Sequence, residues 1–218
     1  MEGPISEREF KHALNSLKER KTPGVDGIPI EFYKQFWSII YPFYHNMIVE
    51  AKERGVLPNS TKTSLLNLIH KGESRIFLSN FRPLSITNYD YKILAFALAG
   101  RFQKVVNEII NFDQSASIRP RFIGTSVRNI IDIFEYCEAN NKTGALLCTD
   151  FEKAYDTVEH SFLFSVLKRF NFGDNLISWI KLLYADPVFK VKNNGWISKS
   201  YRMERGIRQD CYSIYNSN

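Results

Sequence analysis

Apolar and polar positions alternate along this 218-residue chain with two periods, and the two periods sort it into elements. Phe10, Ala13, Leu14 and Leu17 fall on one helical face behind Ser6-Glu7-Arg8-Glu9, which reads as a capping box. The prolines and glycines of residues 21–29 predict a loop. A long helical region follows over about 30–54, broken at Pro42 and stopped by Gly55. Residues 65–69 and 81–86 read as strands. Ile93, Leu94, Ala97, Leu98, Phe102, Val105, Val106 and Ile109 predict a helix over 89–110. After an irregular stretch at 111–125 come helices ending near 140 and covering 160–170 and 175–184. Strands at 188–192 and 196–203 flank Asn193-Asn194-Gly195, a hairpin signal. Separated strands among helices predict an α+β fold, with no repeat, low-complexity tract or long linker.

One further apolar run, residues 145–149, is bounded by Gly144 and ends in Asp150, as a buried strand does. A carboxylate at such a strand end is held in place and partly desolvated, which suits it to a divalent metal. Taken alone, Asp150 is read equally well as the cap of a following helix.

The composition, 44% hydrophobic and 24% charged, is that of a globular protein. No apolar run is long enough to cross a bilayer, and the N-terminus lacks the apolar centre of a signal peptide, so an intracellular location is expected. Cys137, Cys148 and Cys211 form no close pair, against a disulfide framework or zinc site, and are expected to be reduced, packed side chains. The histidines are scattered, although His70 adjoins Lys71. The net charge of +6 permits a polyanionic partner. Its distribution is more telling. Lys181, Lys190, Lys192, Lys199, Arg202, Arg205 and Arg208 crowd one stretch, opposed only by Asp186 and Glu204. Tyr184, Phe189, Trp196 and Tyr201 are interleaved with them, as in surfaces that take phosphates and stack bases, or as on a solvated hairpin.

The string Asp150-Phe151-Glu152-Lys153-Ala154-Tyr155-Asp156 resembles the first catalytic motif of the reverse transcriptases of non-LTR (LINE-type) retrotransposons. Other segments resemble the same family in the family's order. Lys21-Thr22-Pro23-Gly24-Val25-Asp26-Gly27-Ile28 is similar to its N-terminal extension. Leu68-Ile69-His70-Lys71 with Asn80-Phe81-Arg82-Pro83-Leu84-Ser85 is similar to its fingers, and Arg205-Gly206-Ile207-Arg208-Gln209 to the approach to its second palm motif. The resemblance implies the fingers and part of the palm of a right-hand polymerase. Residues 1–60 would form a helical extension, 61–143 the fingers region and 144–218 part of the palm. The implied reaction is RNA-directed DNA synthesis from deoxynucleoside triphosphates on an RNA template and DNA primer, with Mg²⁺ as cofactor. By resemblance Asp150 would be the catalytic metal ligand. Lys71 and Arg82 would reach the triphosphate, Phe151 and Tyr155 would line the nucleotide site, with Tyr155 against the deoxyribose, and Gln209 would meet the nascent base pair. Arg121, Lys190, Lys192, Lys199, Arg202, Arg205 and Arg208 would contact nucleic acid. No membrane partner is implied, and the oligomeric state stays open.

The chain also departs from the family. Tyr184-Ala185-Asp186-Pro187 imitates the paired-aspartate signature but precedes the Gln209 motif and follows an amphipathic helix, so Asp186 is expected to be a helix-end or turn residue. Asp210 stands where the family has glycine, and Ala116, Ser117 and Pro120 replace Gly, Phe and Gly, as in a decaying transposon copy. The sequence ends before a paired-aspartate motif. The expectations are therefore an inactive fragment by itself and an Asp150 strand left as an exposed edge. Two other readings remain open: a non-catalytic nucleic-acid-binding remnant, and a protein-interaction module using the N-terminal helices.

Overall fold

The computed structural model describes residues 2–207 except Glu73, Ser117 and Arg119. Helix α1 (Glu7–Ser16) opens on the expected capping box: the Glu9 amide donates to Ser6 Oγ, and the Ser6 amide donates to the Glu9 carboxylate at 2.8 Å. Phe10, Ala13 and Leu14 are buried on its inner face, against α4 and α2. Helix α2 (Ile30–Arg54) ends at Gly55 in the left-handed conformation, φ 71°. Its break lies at Phe36, where φ and ψ leave the helical region, and not at Pro42, which the helix carries inside it.

After a one-turn helix α3 (Asn59–Lys62) the chain forms β1 (Thr63–His70) and β2 (Phe81–Thr87). They pair antiparallel with Ile69 opposite Arg82. Pro83 has no N–H for a second ladder, and β2 lies at the sheet edge. Helix α4 (Tyr89–Gln103) is the centre of the protein. Tyr89, Tyr91, Ile93, Leu94, Ala97 and Leu98 are all buried, so it is apolar all round. The predicted helix over 89–110 breaks at Val105, and a single turn α5 (Val106–Ile109) follows.

Asn88, at the cap of α4, holds the 21–29 loop in place. Its Oδ1 accepts from the Asp26 amide at 3.4 Å and its Nδ2 donates to the Ser60 carbonyl at 3.0 Å. Gly24 lies so close that a Cβ there would come 2.0 Å from Asn88 Oδ1. Arg101, buried in the same helix, forks onto Glu9 and donates to the carbonyls of Gly3 and Pro4, pinning the N-terminal strap.

Helix α6 (Ile123–Ala139), α7 (His160–Arg169) and α8 (Asp174–Tyr184) follow. Only α8 joins the core in depth, through Leu176, Ile177, Trp179 and Leu182. Strand β3 (Val188–Asn193) then adds parallel to β1, with Lys190 beside Leu65. The hairpin turns at Asn194 and Gly195, φ 47° and 84°, a type I′ pattern that suits Asn-Gly.

Two predicted strands differ from the structure. The single strand over 196–203 is two short ones, β4 (Trp196–Ile197) and β5 (Tyr201–Arg202), both paired with β3. Their registers differ by one residue, so a bulge separates them. There the Ser198 hydroxyl accepts from the Val191 amide at 2.9 Å. More consequentially, residues 145–149 form no strand, paired or edge, and every residue from 144 to 150 is exposed. A strand needs a ladder partner, and the described sheet runs β2-β1-β3-β4 without reaching this segment. Cys148 is accordingly exposed rather than packed, Cys137 is half-buried, and Cys211 lies outside the described residues.

Candidate nucleic-acid interface

Register decides which side chains share a face of the sheet, because neighbours across a ladder point the same way and i, i+2 positions repeat it. Leu65, Asn67 and Ile69 of β1 share a face with Ile86, Leu84 and Arg82 of β2. The ladder extends one step further, since the Lys71 amide donates to the Asn80 carbonyl at 2.8 Å, so Lys71 lies on that same face. Parallel pairing of Leu65 with Lys190 and Asn67 with Lys192 places both lysines there as well. Arg202 sits opposite Val188, two residues before Lys190, and joins them.

Lys71, Arg82, Lys190, Lys192 and Arg202, scattered over about 130 positions of sequence, thus occupy one face, and none of the five strands carries an acidic residue. The other face is apolar or small near its base, where Ser64, Ser85, Thr87 and Phe189 are buried. Like charges gathered on one sheet face repel one another, and a polyanion relieves that repulsion while releasing counterions.

Asp186 anchors the edge of this face. It lies at the α8–β3 corner with φ 49°, accepts from Lys62 Nζ at 2.5 Å and pairs with Arg202 Nε at 2.7 Å. The Lys62 ammonium beside it holds its carboxyl below the usual range. Arg202 keeps most of its side chain in solvent, 75% exposed, and so still presents charge outward.

Other candidate residues lie elsewhere. The Arg121 guanidinium donates to the carbonyls of Asn107, Ile110, Asn111 and Gln114, closing the turn after α5; this fork is engaged by the protein's own backbone. Lys199 is exposed in the bulge between β4 and β5. The Arg205 backbone forms an isolated antiparallel β-bridge with that of Glu159, and the segment after it folds back on the end of the Asp150 motif. The Gly206 amide donates to Val158 at 2.8 Å and the Ile207 amide to Tyr155 at 2.9 Å. Gly206 is needed there: its φ is 93°, and a Cβ would approach the Asp156 carbonyl to 3.1 Å. His160 Nε2 donates to the Gly206 carbonyl at 3.0 Å while its ring packs on Tyr184, 4.8 Å between centroids. Nothing in its sequence setting singles out His160 except its place at the start of a predicted helix just past the motif. Arg208 and Gln209 lie outside the described residues.

Asp150 and Phe151 sit on the exposed 144–151 segment, Phe151 79% exposed, and Tyr155 is half-exposed. Among the described residues, no three His, Cys, Asp or Glu side chains gather into a metal-ligand set. Among the described residues, Asp150 contributes one carboxylate of the several that a site for two Mg²⁺ ions needs.

Comparison with known proteins shows the family to which the chain belongs. The family described as reverse transcriptase (RNA-dependent DNA polymerase) matches residues 69–211. The chain is 35% identical over 97% of its length to the transposon TX1 uncharacterized 149 kDa protein of Xenopus laevis, covering 16% of that protein. It is 25% identical over 97% of its length to a probable RNA-directed DNA polymerase from transposon BS of Drosophila melanogaster, covering 22%. It is 23% identical over 94% of its length to a retrovirus-related Pol polyprotein from the type-1 retrotransposable element R2 of Popillia japonica, covering 28%. The chain belongs to the reverse transcriptase family, as a reverse transcriptase domain of the non-LTR retrotransposon kind. It spans less than a third of the length of each of these relatives. Among the described residues, no helix is long and apolar enough to cross a membrane.

Proposed function

We propose that this chain is the phosphate-holding part of an RNA-directed DNA polymerase, its fingers and part of its palm. The RNA template, the DNA primer and the incoming deoxynucleoside triphosphate are its substrates. The observation that carries the reading is the shared sheet face of Lys71, Arg82, Lys190, Lys192 and Arg202. Arg82 brings a planar fork suited to phosphate oxygens and the lysines bring point charges, so the face holds a polyanion without reading its sequence. Asp150 and Tyr155 belong to the same reading as the metal carboxylate and the deoxyribose contact, and Mg²⁺ as the family's ion. Arg121 drops out of the interface because its donors are engaged.

A non-catalytic nucleic-acid binder is the second reading, favoured by the contrast between an assembled basic face and an unpaired Asp150 segment. An interaction module on the N-terminal helices is a third reading: the apolar face of α1 is buried against α4, whereas α2 leaves Phe36, Ile39 and Phe43 exposed.

The test is binding of a labelled RNA template annealed to a DNA primer, titrated against salt. Affinity should fall steeply with salt, by a log–log slope of roughly 0.7–0.9 per phosphate contact. Replacing Lys71, Arg82, Lys190 and Lys192 by Gln should flatten that slope, and an unchanged slope would move the interface elsewhere. Mg²⁺-dependent templated incorporation then separates the polymerase from the binder.

A further inference from the structure

The basic stretch of sequence interleaves four aromatics, and the structure treats them unequally. Phe189 is buried, 2% exposed. Tyr201 leans on it at 6.1 Å between ring centroids, and Tyr184 packs on His160 and Phe164. Trp196 is 82% exposed. An indole is retained in a fold for the large apolar area it buries, and at this position it buries little. It also stands on a short strand beside exposed Ile197, where protection of a sheet edge calls for charge rather than for an aromatic. The fold therefore gives no account of a tryptophan here.

Its setting does. Trp196 pairs with Asn193 across the two-residue turn, so a tight hairpin tip holds it. Register puts Lys192 on one face of that tip and Trp196 on the other, and residues 187–203 include no acidic side chain. We propose that Trp196 is a base-stacking residue: a single-stranded nucleic acid whose phosphates lie on Lys192 and its basic neighbours folds one unpaired base over the hairpin tip against the indole. This rests on the reading of the sheet face as phosphate-binding and adds to it a contact with a base. Every base has a π-face, so the contact tolerates any sequence, and cationic neighbours supply the attraction that brings the strand to the tip. The charge of the hairpin favours a nucleic acid over a protein partner for this exposed ring.

The chain reports on itself, because its three tryptophans divide into buried Trp37 and Trp179 and exposed Trp196. Adding a short single-stranded oligo(U) RNA should quench the long-wavelength, solvent-exposed part of the emission and leave the buried part unchanged. Trp196→Ala should weaken oligo(U) binding roughly five- to hundred-fold, the range expected for one stacked base, without changing the salt slope. Trp196→Phe should recover part of the loss. On an abasic strand of the same length the wild-type chain and Trp196→Ala should bind alike.

The proposal is overturned if Trp196→Ala binds oligo(U) as tightly as the wild type while glutamine at Lys190 and Lys192 still flattens the salt slope; the phosphate-binding face then stands without it. A Trp196→Ala defect of equal size on the abasic strand also overturns it, by showing that the ring supports the hairpin and not a base. Absence of oligo(U) binding by the wild-type chain overturns both readings together.

Discussion

Helices α4 and α6 are nearly equal in length, 15 and 17 residues, and both carry apolar side chains at helical spacing. Their fates are opposite. α4 buries Ile93 and Leu94 completely in the core it shares with α1, α2 and α8, whereas α6 has no buried residue, with Val127 54%, Ile130 39% and Phe134 53% exposed. Periodicity marks which face of a helix wants cover. It does not supply the cover, which depends on what the rest of the chain brings alongside. The same contrast separates the chemistry. The basic sheet face stands on the packed half of the molecule, while Asp150 sits beyond α6 on a segment with no ladder partner. Residues 144–146 run past Ile130, Phe134 and Cys137 of α6 across an open cleft, so the two exposed pieces lie side by side.

The largest test of this contrast is a pair of truncations. Leu94→Ala should cost about 2–5 kcal/mol in denaturant unfolding, because the cavity lies in a close-packed centre. Ile130→Ala should cost under about 0.5 kcal/mol, as for a surface position. Equal losses would mean that α6 is covered in solution. Amide exchange gives an independent reading, with α4 protected up to the global stability and α6 exchanging through local opening.

A smaller effect sharpens the packed half. Arg101 pushes the Glu9 carboxyl down to about 2, from an ordinary value near 4.5. A depressed carboxylate contributes stability that is fully present above the unfolded value and is lost as the pH falls through the folded one. The strap should therefore weaken between about pH 4.5 and 2, by on the order of 2 kcal/mol after allowance for the partial exposure of Glu9. Glu9→Gln should lower stability at neutral pH and remove that part of the acid slope. An acid transition of the same size in the variant would assign it to other groups.

The smallest expected effect falls on the residue with the largest proposed role. Asp150→Asn should leave the melting temperature within about a degree, because the side chain is exposed and its segment is unpaired. Any Mg²⁺-dependent incorporation measured with the chain should vanish in the same variant. A marked loss of stability would show that Asp150 is a structural residue in solution.

Much of the fold was legible from local chemistry. The capping box at Ser6, the stop at Gly55, the Asn194-Gly195 turn and the helices at 160–170 and 175–184 depend on a few neighbouring residues and formed where expected, whereas the stripe over 89–110 breaks at Val105. Asp186 is likewise the corner residue its surroundings implied. The family was legible too, because its motifs are short strings of residue types in a fixed order. What sequence could not set is everything that needs a second segment. Residues 145–149 have the composition of a buried strand but, among the described residues, no strand beside them, and a strand's hydrogen bonds belong to the pair rather than to either member. Arg121 looks like any exposed cation until four carbonyls close around it. The basic face follows from the register between β1, β2 and β3, and a slip of one residue would turn its side chains to the opposite face. By itself, the sequence determined the residue types, the local caps and turns, and the family. The tertiary structure alone decided which charges meet, because long-range pairing and burial are properties of segments brought together and are not written in either one.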